Sequence, residues 1–193
     1  MIPALSLENI EKSCEYENRD RVTCIMVALY TDEKVKSIIS QQYDFWHYYT
    51  GSRLNMYWLG YGAYYFPDLP GQHLVTGVTC EPSVYFDANI FVTEIAKIQK
   101  KIKFKYKGQI GILISNYKKR KLHLEESAFI NLAPLLRKND QRLQEFAVYL
   151  IEACKENNNI YDFVYKLQIK KHLYGIRDIN FSDLIATALG IFE

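Results

Sequence analysis

The sequence predicts an α/β domain with a mixed sheet, and two apolar stretches carry that prediction. Residues 22–30 form a nearly unbroken apolar run rich in β-branched side chains, which is typical of a strand buried on both faces. A second short run, apolar and aromatic, covers residues 54–59. The segment between them has apolar residues at helical spacing. We therefore expect a right-handed βαβ crossover whose two strands lie side by side and parallel.

The helix of this crossover is predicted to begin directly after the first strand. Thr31 and Asp32 are both good N-cap residues, and Glu33 adds a negative charge that complements the helix dipole. Apolar residues then recur at helical spacing over residues 35–49, which indicates one buried helix face.

The middle of the chain predicts a further helix and an antiparallel pair of strands. Asp87 is expected to cap a helix that runs to about Lys103. Residues 109–116 form a compact apolar strand. Residues 117–121 are predicted to turn into a short antiparallel partner strand that contains Leu122.

The C-terminal part is predicted to be helical. Amphipathic helices begin near Asp140 and at Ile160, and Ser182 with Asp183 caps a last one. These patterns divide the chain into three parts. They are an N-terminal extension with a short docking helix (1–21), an α/β domain (22–156) and a helical extension packed on that domain (157–193).

Residues 60–87 are rich in glycine and proline, and residues 74–80 are their one candidate strand. Irregular segments of this length are uncommon in compact domains unless they are functional or disordered. Aromatic rings in such a segment fit a protein-binding surface, or equally a cover for the edge of a sheet. The candidate partner-binding residues are Tyr61, Tyr64, Tyr65, Phe66 and His73.

Between residues 95 and 124 there are ten Lys or Arg residues and no Asp or Glu. They form two segments, 97–107 and 118–121, and such charge fits an anionic partner such as a nucleic acid or a nucleotide. The two segments flank the predicted strand 109–116, so they should lie on the order of 20 Å apart. A solvated helix end and a charged turn explain the same pattern. The candidate anion-binding residues are Lys118, Lys119, Arg120 and Lys121.

The order strand, helix, strand, helix, strand, strand, helix over residues 22–156 resembles the thioredoxin-like fold. Redox members of that family carry Cys-x-x-Cys where the first strand meets the first helix, and here that place holds Thr31-Asp32-Glu33-Lys34. The family's cis-proline before the third core strand has no counterpart in residues 104–109. The resemblance implies a redox-inactive scaffold with added C-terminal helices, serving as a non-catalytic protein-interaction or adaptor subunit.

Composition narrows the functional classes further. The net charge of the 193 residues is +2, so overall charge does not indicate nucleic-acid binding. The four cysteines are too widely spaced for a metal knuckle or a redox pair, and no cofactor or metal site is predicted. P-loop, Rossmann and hydrolase signatures are missing, although an enzyme whose site is assembled from scattered residues stays an alternative.

The expected setting is the cytoplasm, with a protein partner or self-association. No apolar run approaches the length of a membrane span, and the first residues do not have the charge and apolar pattern of a signal peptide.

Overall fold

The structure is a computed structural model of the chain. Within the residues that it describes, nine bounded strands and six bounded helices form a mixed α/β architecture with two sheets. The described residues are 2–16, 21–33, 35–37, 39, 55–75, 83–102, 105–136, 140–156, 159–174, 176 and 179–190.

Six of the nine strands form one mixed sheet, and the other three form a small antiparallel sheet. In chain order the strands are β1 (Ile2–Ala4), β2 (Arg21–Val27), β3 (Met56–Leu59), β4 (Tyr61–Ala63), β5 (Gln72–Leu74), β6 (Val84–Asp87), β7 (Gly111–Lys118), β8 (Lys121–Asn131) and β9 (Ile179–Phe181). The large sheet has the order β1–β3–β2–β7–β8–β9, and the small sheet has the order β4–β6–β5.

The predicted central pair is confirmed. β2 and β3 are neighbours and parallel, with Cys24 beside Met56 and Met26 beside Trp58. All four of these side chains are buried. The unbroken apolar runs are explained by this position, because strands in the middle of a covered sheet bury both of their faces.

Six helices are bounded within the described residues. They are α1 (Leu7–Tyr16), α2 (Ala88–Gln99), α3 (Ala133–Leu136), α4 (Asp140–Glu156), α5 (Ile160–Tyr174) and α6 (Asp183–Ala188). The predicted docking helix is α1, and its apolar residues Ile10 and Cys14 are buried. The helices predicted to begin near Asp140 and at Ile160 are α4 and α5.

Asp87 caps α2 as predicted, because its Oδ1 accepts the backbone N–H groups of Asn89 and Ile90, each at 3.0 Å. The helix ends at Gln99, earlier than the predicted end near Lys103, which lies outside the described residues. The carbonyl oxygen of Ile98 accepts hydrogen bonds from both Lys101 and Ile102. This tightened last turn closes the helix.

Two edge strands of the large sheet were not predicted. β1 pairs in parallel with β3, and its Pro3 is tolerated at an edge where one side of the strand needs no donor. β9 pairs with β8, with Phe181 beside Ala128. The segment 157–193 therefore contributes a strand as well as helices.

The small sheet follows directly on β3. Gly60 joins the two sheets, because its N–H donates to the Ala4 carbonyl oxygen and its own carbonyl oxygen accepts the Asp87 N–H, each at 2.9 Å. Gly60 has φ +83, and a Cβ at this position would lie 2.8 Å from the Cβ of Phe91. Only glycine fits this crossing.

Of the strand predicted over residues 74–80, only Leu74 lies in a strand, β5, which covers Gln72–Leu74; residues 76–80 of that prediction lie outside the described part. The predicted antiparallel pair is β7 and β8, joined by a two-residue turn at Lys119 and Arg120 with φ of 50 and 63. Such a turn matches the twist of a hairpin, although it places two side-chain-bearing residues in the left-handed region.

Candidate functional site

The candidate site lies at the carboxyl end of β2, where the strand passes into a helix. The structure assigns residues 33, 35–37 and 39 to that helix; the rest of the predicted helix falls in residues 40–54, outside the described part. Asp32 begins the helix as predicted, because its Oδ1 accepts the Val35 N–H at 3.3 Å. The Lys36 ammonium lies 2.6 Å from the Glu33 carboxylate.

Two tyrosines from distant parts of the chain meet the backbone just after β2. The Tyr61 hydroxyl donates to the carbonyl oxygen of Ala28 at 2.9 Å. Burial raises the pKa of the Tyr106 phenol, the nearby backbone of Leu29 opposes that rise, and the nearby Asp32 carboxylate adds to it. Burial also raises the pKa of the Tyr61 phenol, so both phenols stay protonated at neutral pH, and Tyr61 supports the strand-to-helix junction through its hydrogen bond.

A continuous group of aromatic rings fills the space behind this junction. The ring centroids of Tyr61 and Phe86 lie 4.9 Å apart, and those of Trp58 and Tyr61 lie 5.2 Å apart. Tyr30 contacts the same group, with its centroid 6.4 Å from that of Tyr61. Ring packing of this kind holds the junction rigidly.

An open pocket of about 490 Å³ lies in front of the junction. One wall consists of Tyr30, Thr31 and Lys36, and the other consists of Tyr65 with the strand residues 72–74. The Lys36 ammonium lies 5.8 Å from the centroid of the Tyr30 ring. The pocket has the size of a ligand site and combines aromatic surface with polar side chains.

The structure brings together part of the predicted aromatic site. Tyr65 and His73 line the pocket, and Tyr64 and Phe66 lie beside it with 66% and 57% of their surface exposed. The structure corrects the predicted surface position of Tyr61. This residue is 1% exposed, because its ring completes the aromatic group behind β2. It supports the site from within and is not part of the surface.

Exposed apolar side chains concentrate in this region. Ten large apolar side chains are exposed in the described part of the chain, and four of them lie within residues 64–74. These four are Tyr64, Phe66, Leu69 and Leu74. We call this group, together with the pocket residues Tyr65 and His73, the aromatic surface.

The loop that carries the aromatic surface is held by its own hydrogen bonds. The Tyr65 N–H donates to the Ser83 carbonyl oxygen at 3.2 Å, and the Phe66 N–H donates to Oε1 of Gln72 at 3.1 Å. Tyr64 has φ of 67, a conformation that costs a tyrosine about 1–2 kcal/mol. The exposed rings are therefore presented by a defined backbone.

Pocket residues that the sequence did not indicate are Tyr30, Thr31, Lys36, Gln72 and Leu74. Thr31 stands at the position where the resembled family has its motif, which was an available signal. Tyr30 and Lys36 lie at the same junction as Thr31, whereas Gln72 and Leu74 are positioned by the pairing of β5 with β6.

The predicted anion-binding residues form the turn between β7 and β8, and acidic residues lie close to them. Lys118 pairs with Glu126 at 3.2 Å, and Arg120 pairs with Glu15 of α1 at 3.5 Å. Lys119 and Lys121 are exposed. Neighbouring carboxylates thus offset much of the positive charge at the turn.

The other basic segment lies at the opposite end of β7, as expected. Lys97 pairs at 2.5 Å with Glu94, whose other oxygen accepts the Leu7 N–H at the start of α1. Lys100, Lys101, Lys105 and Lys107 are exposed, and Lys103 lies outside the described residues.

None of the cysteines whose position the structure describes lies at the junction. Among the cysteines that the structure describes, Cys14 and Cys24 are buried and Cys154 is partly buried. Burial raises the pKa of the Cys24 thiol well above its usual value, and a hydrogen bond with Cys154 adds to that rise. Such a thiol is a poor nucleophile.

In the described residues there is no group of three or more His, Cys, Asp or Glu side chains suited to hold a metal ion. Among the helices of the same residues, none has the length and apolar character needed to span a bilayer. Comparisons of the chain with family models, with curated proteins and with solved structures find no match.

Proposed function

We propose that this protein is a non-catalytic interaction or adaptor subunit that binds a partner protein through the aromatic surface. The observation that carries the proposal is the concentration of exposed apolar side chains on a hydrogen-bonded loop beside an open pocket. Apolar patches of this kind on globular proteins mark interaction sites, and aromatic anchors next to a pocket are typical of binding hot spots.

The scaffold in this proposal is thioredoxin-like and redox-inactive. Support comes from the parallel pair β2–β3 and the antiparallel hairpin β7–β8, which occur in the chain order of the resembled fold. The junction sequence from Thr31 to Lys34 contains no cysteine, so the site has no thiolate for disulfide exchange. The free thiols of Cys14, Cys24 and Cys154 fit a reducing compartment, the cytoplasm.

A nucleic-acid or nucleotide ligand for the basic segments is the second candidate. The exposed lysines of residues 100–107 favour it, whereas the ion pairs around Lys118 and Arg120 weigh against the hairpin turn. Binding of this type would weaken steeply with salt.

The test of the leading proposal is affinity purification of the tagged chain from its native cells, with quantification of the proteins retained. The variant combines Tyr64→Gly and Phe66→Ser, and the glycine also relieves the left-handed backbone at position 64. A matched control combines Tyr165→Ser and Ile169→Ser, which removes two side chains that are equally exposed, at 61% and 64%, on α5.

We expect the loop variant to lose a partner that wild type and the control both retain. The proposal is wrong if wild type, the loop variant and the control all melt normally and the loop variant retains the same proteins as the other two. The solution mass of the wild type should be measured in parallel, because loss of a dimer in the loop variant alone would identify the partner as a second copy.

A further inference from the structure

Within the described residues, the strand β5 pairs on one side only, with β6. The Val75 N–H donates to the Val84 carbonyl oxygen at 2.9 Å, so position 75 turns its backbone towards β6. Backbone groups alternate along an antiparallel ladder. His73 therefore also faces β6, and the N–H and C=O groups of Gln72 and Leu74 face outward.

The three residues of β5 belong to the wall of the pocket. Gln72, His73 and Leu74 line it together with Tyr65, and His73 and Leu74 are exposed. A chain laid along β5 would therefore pair with its backbone and place side chains against the aromatic surface. Strand addition of this kind supplies affinity through main-chain hydrogen bonds and specificity through neighbouring pockets.

The pocket itself carries no net positive charge. No carboxylate is among the lining residues, but the lining residue Lys36 pairs with Glu33 at 2.6 Å, and Asp32 and Asp68 lie in the adjoining helix start and loop. Attraction for an acidic chain therefore comes from outside the pocket.

The basic segment that precedes β7 lies at this same end of the sheet. Gly111, the first residue of β7, pairs with Val27, the last residue of β2. Tyr106 belongs to the aromatic group behind the junction, because its ring centroid lies 5.6 Å from that of Phe91, which lies 5.3 Å from that of Phe86. Residues 100–107 contain five lysines and no carboxylate, so an acidic chain is the one that this end of the molecule would attract.

We propose that the partner supplies an extended acidic segment that pairs with the outer side of β5 and places an apolar side chain in the pocket. This inference rests on the proposed function and names the chemistry of the partner. Its carboxylates are attracted by the lysines of residues 100–107, of which Lys100, Lys101, Lys105 and Lys107 are exposed.

The first experiment pans a displayed library of random linear decapeptides on the full chain. Enriched sequences are then synthesised with a fluorescent label, and their affinity is measured by polarization. We expect enrichment in Asp and Glu and depletion of Pro, and replacing every acidic residue by Lys should weaken binding at least about tenfold. No enrichment, or enrichment in basic peptides, would overturn the inference.

A second experiment separates backbone pairing from side-chain contact. Leu74→Pro removes the outward N–H, and proline is tolerated at such an edge position. Leu74→Ala removes the side chain and keeps the N–H. The proline variant should bind about tenfold more weakly than the alanine variant, the size expected for one lost hydrogen bond. Equal binding by two folded variants would contradict strand addition.

If Leu74→Pro does not fold, peptides methylated at single backbone nitrogens test the same pairing from the ligand's side. Methylation at alternate positions should weaken binding to wild type, and uniform tolerance would overturn the inference. The outcome is separable from that of the proposed function. A partner retained through Tyr64 and Phe66 without selection of acidic peptides would refute only this inference, whereas the absence of both would refute both.

Discussion

The Tyr61 hydroxyl donates a hydrogen bond of 2.9 Å to the carbonyl oxygen of Ala28. Tyr61 begins β4, the strand that leads into the loop with the exposed rings, and Ala28 follows β2, shortly before the pocket residue Tyr30. This bond therefore ties the start of β4 to the strand-to-helix junction. Both residues are buried, so no solvent replaces the bond when it is lost.

Tyr61→Phe should lower the free energy of unfolding by about 1–2 kcal/mol, because it leaves a buried carbonyl group without its donor while the ring packing remains. Urea titration followed by fluorescence measures the change. The control is Tyr165→Phe, which removes a hydroxyl from an exposed tyrosine and should change stability by less than about 0.5 kcal/mol. Equal effects of the two substitutions would show that the bond to Ala28 contributes nothing.

Gly60→Ala should destabilise the fold far more than Gly108→Ala. Both glycines have φ near +82, but only at Gly60 would a Cβ meet a neighbour, the Cβ of Phe91 at 2.8 Å; Gly108 has no atom within 4 Å. We expect a loss of about 1 kcal/mol at position 108 from backbone strain. A further loss of about 1–3 kcal/mol at position 60 comes from the steric overlap. Thermal melts of the two variants check the difference, and similar melting temperatures would contradict it.

The combination of Lys119→Asn and Arg120→Gly should stabilise the protein by about 1–2 kcal/mol, because both positions have left-handed backbone that these residues adopt more readily. The exposed ion pair of Arg120 with Glu15 is lost, at little cost in stability.

The same variant removes two positive charges, so it also tests nucleic-acid binding, the second candidate function. Nucleic-acid binding that stays unchanged in this variant but falls in Lys100→Ser with Lys101→Ser would exclude the turn as the binding element.

Glu126 should give the protein a pH-dependent component of stability. Burial raises the pKa of its carboxyl group, but hydrogen bonds from Asn116 and Lys118 outweigh this, and the pKa lies below its usual value. A carboxyl group whose pKa is lowered in the folded state stabilises the fold above the unfolded pKa of about 4.5 and loses that effect as the pH falls through the folded pKa. Urea titrations from pH 6 to about pH 3 should therefore show a shallower decline for Glu126→Gln than for wild type. Parallel curves would contradict the assignment.

Long apolar runs and local side-chain chemistry were the features that the sequence predicted well. The strands β2 and β3 were recognisable because a buried parallel pair needs continuous apolar residues, and Asp32 and Asp87 were recognisable because their carboxylates suit a helix start. Both kinds of signal depend only on neighbouring residues.

Short strands and the placement of individual rings could not be predicted. β1, β5 and β9 have three residues each, too few to show any periodicity, and they exist because a neighbouring strand offers an edge. Tyr61 and Tyr64 are three residues apart in one aromatic run, yet one is buried and the other is exposed. Their difference arises from the crossing at Gly60, which tertiary packing decides.

The most direct test of the binding surface is hydrogen–deuterium exchange of the chain alone and in complex with the partner that it retains. We expect slower exchange in residues 64–75 on binding, with residues 160–174 and 118–121 unchanged. Protection confined to the C-terminal helix α5 or to the basic turn, with residues 64–75 exchanging as before, would contradict it.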